Sequence, residues 1–169
     1  GALFAGVMIG DADDRYLLAS DAGYGFVARL GELFSKNKAG KAVLTRPNNA
    51  NVLTPQAVRD NDDGWVAAVT SSGYLLVTEL EELPLLGRGK GLKIIQVPPA
   101  RLKAREEFVV AIAIVPDGGQ LTVHAGKRHV TLKSADLEHY RVGRGRRGRK
   151  LPRGLQRVEQ LVASGGDRF

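Results

Sequence analysis

The chain repeats itself three times, and this repetition constrains the fold more than any single motif does. Residues 16–33 (YLLASDAGYGFVARLGEL), 65–83 (WVAAVTSSGYLLVTELEEL) and 120–137 (QLTVHAGKRHVTLKSADL) share one layout. Each has an apolar run, a tight turn with glycine, a second apolar run and a corner reading Gly-Glu-Leu, Glu-Glu-Leu or Ala-Asp-Leu. The turn glycines Gly23, Gly73 and Gly126 lie 50 and 53 residues apart, and the corner leucines Leu33, Leu83 and Leu137 follow them by 10, 10 and 11. A basic, glycine-rich loop comes next each time: residues 36–41 (KNKAGK), 87–93 (GRGKGLK) and 143–150 (GRGRRGRK). Four features kept in one order over three periods mark a repeat architecture.

Within each unit the local signals are those of strands. Residues 3–9, 65–70 and 109–115 are rich in branched and aromatic side chains and too short for typical helices. Turn chemistry punctuates them at residues 10–14 (GDADD), 60–64 (DNDDG) and 116–119 (PDGG), where Gly, Asn and Asp suit tight reversals. A hairpin, a corner, a basic loop and a further strand at residues 41–45 and 93–97 give about four strands per period of roughly 50 residues, the pattern of propeller blades. A lipocalin-like barrel explains less, because its hairpins would not recur with a fixed basic loop. Helical turns are expected only near residues 31–34 and 134–140. The expectation is an all-β, propeller-like array of about three four-stranded blades, with repeats at 1–45, 46–97 and 98–158 and a C-terminal tail at 159–169.

Composition narrows the chemistry. A chain of 169 residues with 43% hydrophobic residues can bury a core and is too apolar to be disordered. It has no cysteine, which removes disulfides, thiolate metal sites and cysteine nucleophiles. No apolar run approaches the roughly 18 residues of a membrane helix, so no membrane partner is expected. An opening Gly-Ala-Leu-Phe without Met reads as an excised fragment. The formal charge is +7, and it is unevenly placed. Residues 1–100 hold ten Lys/Arg and eleven Asp/Glu, while residues 101–169 hold fifteen and seven. Residues 141–157 (RVGRGRRGRKLPRGLQR) contain no acid at all.

An active site is hard to assemble from these residues. His124, His129 and His139 fall in one repeat without a partnering set of acids, and they read as ordinary surface or structural histidines. No serine sits in a Gly-x-Ser-x-Gly elbow. The Asp-x-Asp spacings at residues 11–14 and 60–63 lack the distal Glu of a calcium loop and read as turns. Residues 143–148 fit G-x-G-x-x-G literally, but that fingerprint has meaning only between a strand and a helix. Here the intervening positions are arginine, and Pro152 and Gly154 interrupt any helix that would follow. The same run fails as a P-loop, since Arg149 and Lys150 follow Gly148.

The basic loops make better sense as phosphate binders. Glycine lets backbone N–H groups approach a phosphate, and Lys and Arg supply charge. Three such loops at equivalent repeat positions would line one rim of the array, giving sequence-independent, salt-dependent binding. Trp65 and the few Tyr and Phe residues fall in strands and read as core, not as a stacking platform for single strands. No recognition helix for a major groove is evident. Duplex backbone binding is therefore preferred over base readout.

Residues 17–44 (LLASDAGYGFVARLGELFSKNKAGKAVL), 83–97 (LPLLGRGKGLKIIQV) and 124–154 (HAGKRHVTLKSADLEHYRVGRGRRGRKLPRG) closely resemble the C-terminal domain of the bacterial DNA topoisomerase IV A subunit, a relative of the gyrase A C-terminal domain. The resemblance covers essentially the whole chain. It implies a β-pinwheel, a propeller-like array whose blades exchange strands and whose basic perimeter binds and bends duplex DNA. It also implies that the fragment is not catalytic. Mg²⁺ and the cleavage site would belong to the upstream part of the A subunit, and ATP to the partner ATPase subunit, in a cytoplasmic, chromosome-associated bacterial enzyme. The gyrase Gln-Arg-Arg-Gly-Gly-Lys-Gly box has only partial counterparts here, in residues 36–42, 86–92 and 143–149. That departure implies weak bending in place of chiral wrapping. With three countable repeats, the ring is expected to be open or incomplete. By position, the perimeter role falls to Lys36, Lys38, Lys41, Arg88, Lys90, Lys93, Arg144, Arg146, Arg147, Arg149 and Lys150, with Lys127 and Arg128 as a second tier. The competing readings are a protein-interaction propeller using apolar or mixed patches and a gyrase-type wrapping domain.

Overall fold

The computed structural model describes residues 15–29, 50–58, 64–86 and 90–165. The expectations for Lys36, Lys38, Lys41 and Arg88, for strands at 3–9 and 41–45, and for the turns at 10–14, 31–34 and 60–63 lie outside these residues. The repeats take the form of three antiparallel hairpins. They are β1 (Arg15–Ala19) with β2 (Tyr24–Arg29), β4 (Trp65–Thr70) with β5 (Tyr74–Glu79), and β8 (Gln120–Ala125) with β9 (Arg128–Leu132). Each reversal carries its turn glycine, and each ladder pairs without interruption, as short runs of branched and aromatic residues favour.

The remaining strands attach to these hairpins in a way that links the repeats. On one side, β3 (Gln56–Val58) pairs with β1, β7 (Val109–Val115) with β4, and β11 (Gln160–Ser164) with β8. On the other side, β6 (Leu92–Lys93) pairs with β2, and β10 (Arg149–Lys150) pairs with β5. The sheet orders are therefore β3-β1-β2-β6, β7-β4-β5-β10 and β11-β8-β9. Chain that leaves one hairpin returns to close the edge of the preceding sheet, which is the strand exchange of a β-pinwheel. Residues 160–164, expected to be part of a tail, serve as an edge strand of the third sheet.

The donated strand is shorter than the run at residues 93–97 suggests. Ladder pairing ends at Lys93, and Ile94 and Ile95 turn inward, fully buried, with the Ile94 N–H donating to the Gly23 carbonyl at 2.6 Å. Among the described residues two short helices connect the sheets: α1 (Pro99–Lys103) and α2 (Ser134–Glu138), the second within the expected helical turn at residues 134–140. The first is missing from the sequence expectations, which place helical turns only near residues 31–34 and 134–140. Here Pro98 is the N-cap and Pro99 opens the first turn, a position where a missing N–H costs nothing. A 3₁₀ turn (Leu80–Glu82) forms the second corner.

Side-chain alternation along β4 and β5 explains how the sheets stack. Val66, Ala68 and Leu76 join Leu17, Ala19 and Val27 in one core. Ala67, Val69, Leu75 and Val77 join Leu121, Val123 and Leu137 in another. The middle sheet is thus buried on both faces, between the first and third. The first sheet has a further cluster of its own, Leu18, Phe26 and Ala28. In β8, buried and half-buried positions alternate, as in a sheet with one face to the core.

Candidate nucleic-acid interface

The two described loop ends are built alike. After the second corner, the Val27 N–H donates to the Pro84 carbonyl and the Leu86 N–H to the Val27 carbonyl, before the chain reaches Gly91 and β6. After the third corner, the Val77 N–H donates to the Tyr140 carbonyl, before the chain reaches Gly148 and β10. Gly91 and Gly148 take φ of +82° and +88°. A Cβ on Gly91 would strike the Gly25 carbonyl, and one on Gly148 would lie 2.5 Å from the Leu75 oxygen. These glycines therefore serve the docking of the donated strand onto its neighbour.

Docking brings cations over a tyrosine in both places. Lys93 pairs in register with Tyr24, and Lys150 with Tyr74. The Nζ atoms of Lys90 and Lys93 stand 4.7 and 5.9 Å from the Tyr24 ring centroid. The Arg147 guanidinium lies 3.8 Å from the Tyr74 centroid, and the Lys150 Nζ lies 5.6 Å from it. The strand pattern places Tyr24 and Tyr74 in the core, but the structure does not. Both are half-buried at the rim, and the signal that marks them is the Gly-Tyr pair directly after each turn, Gly23-Tyr24 and Gly73-Tyr74.

The perimeter residues divide into two groups. Arg147 is turned inward, with Nη1 and Nη2 donating to Glu107 at 2.6 and 2.7 Å. Glu107 has 0% side-chain exposure and also accepts from Arg101 Nε at 3.1 Å. Burial disfavours ionisation of Glu107, but hydrogen bonds from Arg147, Thr70 and Arg101 outweigh it and hold the carboxyl below its ordinary range. Arg144 donates from Nη1 to the Lys93 carbonyl at 2.8 Å and lies 3.7 Å from Glu82. The Lys93 Nζ donates to Gln96 Oε1 at 2.7 Å. Lys90, Arg146, Arg149 and Lys150 form the other group: they are exposed, and none has an acidic partner among the described residues.

The second tier extends further than Lys127 and Arg128. An added Cβ on Gly154 would lie 2.6 Å from Arg128 Nη1, so the third hairpin turn packs against the turn at residues 152–155. The ladder of β11 on β8 starts at Gln160 opposite His124, and just before it the Gly126 N–H of the third hairpin turn donates to Glu159 Oε1 at 3.2 Å. Arg153 and Arg157 are exposed and also lack an acidic partner among the described residues. They sit within the acid-free run at residues 141–157, which was the available signal for them.

Two of the histidines do meet. His124 and His129 are cross-strand partners with ring centroids 5.7 Å apart, while His139 packs edge-on against Tyr140. Among the described residues no three His, Asp or Glu groups are arranged to hold a metal. No helix among them is long and apolar enough to cross a membrane.

Comparison with known proteins agrees with this geometry. The family described as DNA gyrase C-terminal domain, beta-propeller, matches residues 14–52 and 64–116. The A subunit of DNA topoisomerase 4 from Pseudomonas aeruginosa is 51% identical over 96% of this chain, which spans 22% of that protein. The Escherichia coli K12 protein of the same name is 39% identical over 99% of this chain, which spans 23% of it. The solved E. coli ParC C-terminal domain superposes with a TM-score of 0.85 at 37% identity, covering 94% of this chain and 63% of that one. A gyrase A C-terminal domain, at 16% identity and a TM-score of 0.69 over 92% of this chain and 50% of that one, shares the fold. The chain belongs to the DNA gyrase C-terminal β-propeller family, as a type IIA topoisomerase C-terminal domain of the kind carried by the topoisomerase IV A subunit.

Proposed function

We propose that this domain binds duplex DNA along its rim, bends it weakly, and presents it to the strand-passage core of topoisomerase IV for decatenation and supercoil relaxation. It does so without chemistry of its own. Mg²⁺ and the cleaving groups belong to the remainder of the A subunit, and ATP to the partner ATPase subunit. The observation that carries this reading is the set of exposed cations without acidic partners. Lys90, Arg146, Arg149 and Lys150 stand at the docked loops, and Lys127, Arg128, Arg153 and Arg157 continue the set onto the third sheet. Charge that no carboxylate neutralises is available to phosphates, and its release of counterions makes binding steeply salt-dependent. Lys36, Lys38, Lys41 and Arg88 complete the stripe in this reading. Arg144 and Arg147, held by protein acceptors, shape the rim and contribute little direct contact.

The test is binding of labelled duplex across a salt series. Each neutralised phosphate should add about −0.9 to the log–log slope, and several should be counted; a flat response would sink the reading. Charge reversal at Arg149 and Lys150 should weaken all duplexes alike, because backbone contacts carry no sequence information. A plasmid topology-shift assay then separates weak bending from wrapping of fixed handedness.

A further inference from the structure

The Tyr24 and Tyr74 phenols are unexplained by the fold. Neither hydroxyl has a hydrogen-bond partner among the described residues, and neither oxygen is sealed from solvent. A tyrosine used only for packing needs no hydroxyl, and one at a rim is free to donate it. Both rings occupy the same place in successive repeats, directly after the turn glycine and opposite the lysine of the donated strand. Both also carry a second cation three residues before that lysine, Lys90 in one and Arg147 in the other.

We propose that each tyrosine is the centre of a cradle for one backbone phosphate of duplex DNA, present in the first two repeats and absent from the third, where Lys127 follows the turn glycine. The proposal rests on the duplex-binding reading and adds its positioning residues. The ring face holds the ammonium groups by its quadrupole, which limits how far two flexible lysines wander before a phosphate arrives. The hydroxyl donates to a phosphate oxygen, and the ammonium groups supply charge to the same anion. The two cradles are unequal. At Tyr24 both cations are lysines without an acidic partner among the described residues, whereas at Tyr74 the Arg147 guanidinium already serves Glu107. The Tyr24 cradle therefore holds its phosphate more tightly.

Tyrosine-to-phenylalanine exchange tests this, since it removes the hydroxyl and keeps the ring. Affinity of the 169-residue chain for labelled duplex should fall about three- to tenfold in Y24F, less in Y74F, and most in the double variant, as loss of a charge-assisted hydrogen bond predicts. Thermal stability and the salt slope should be unchanged. In the same samples, carbon-labelled tyrosine ring signals of Tyr24 and Tyr74 should shift on adding duplex, while those of buried Tyr140 stay in place. If wild-type chain binds duplex with a steep salt slope but the variants match it and the rings stay silent, the cradle is overturned and the duplex reading stands. If the wild-type chain ignores duplex, both fall together.

Discussion

The stretch joining β6 to β7 and the stretch joining β10 to β11 do the same topological work with opposite treatment of charge. In the first, Arg105 binds Asp21 at 2.8 Å, and Arg101 binds Glu107 at 3.1 Å and lies 3.7 Å from Glu106. Its arginines are consumed in holding the first and second sheets together. In the second, Arg153 and Arg157 face outward and no carboxylate meets them among the described residues. Similar residue types thus yield a clasp in one connection and an interaction surface in the other. The deciding factor is where the acids lie.

The largest expected effect falls on the first connection. Glu107→Gln leaves Arg147 and Arg101 without their carboxylate and should cost about 2–3 kcal/mol in denaturant unfolding, with a smaller change in duplex affinity. The same residue sets an acid sensitivity. Its folded carboxyl titrates below the unfolded one, so the unfolded chain binds more protons as pH falls. Its contribution is present above the ordinary carboxylate range and is lost as pH drops through the lower, folded value. Unfolding of Glu107→Gln should show a flatter acid limb than wild type.

Gly148→Ala comes next. A side chain at φ +88° facing the Leu75 oxygen should cost about 1–3 kcal/mol and loosen β10 from β5, readable as faster amide exchange in β5. On the second connection, joint reversal of Arg153 and Arg157 to Glu should reduce the salt slope of duplex binding by about 2 while leaving the unfolding midpoint in place. An equal loss of stability there would erase the contrast between the two connections. The smallest effect belongs to Arg141→Gln. The guanidinium bridges Glu79 and Glu138 at the surface and lies 4.8 Å from the Trp65 centroid, and its loss should cost under about 1 kcal/mol by thermal melting.

The hairpins were legible because their signals are local: branched runs flanking a glycine turn set both the strand and its partner. Donated strands were less legible: the branched run at residues 93–97 announced a strand but not that pairing stops at Lys93, and β10 has no such run, since both are strands only because another repeat offers an edge. The orientation of Arg147 was hidden for a related reason. Its partner Glu107 lies 40 residues away and also takes hydrogen bonds from Thr70 and Arg101. From sequence alone Arg146 and Arg147 are neighbours of the same kind, yet one points to solvent and the other into a buried ion pair. Spacing located the charged rim, and tertiary packing decided which of its members are free.

Backward donation of strands also sets a timetable. The edge that Tyr24 offers is closed by Lys93, and the edge that Tyr74 offers is closed by Lys150. Between the two residues of each pair lie many residues of chain that must be made first. At synthesis rates of about 5–20 residues per second, a newly made sheet keeps one side open for roughly 4–15 s. During that time its unpaired N–H and C=O groups can capture any passing strand, including one from another copy. The weak link in producing this fold is therefore a wait, and slower translation after each hairpin lengthens it.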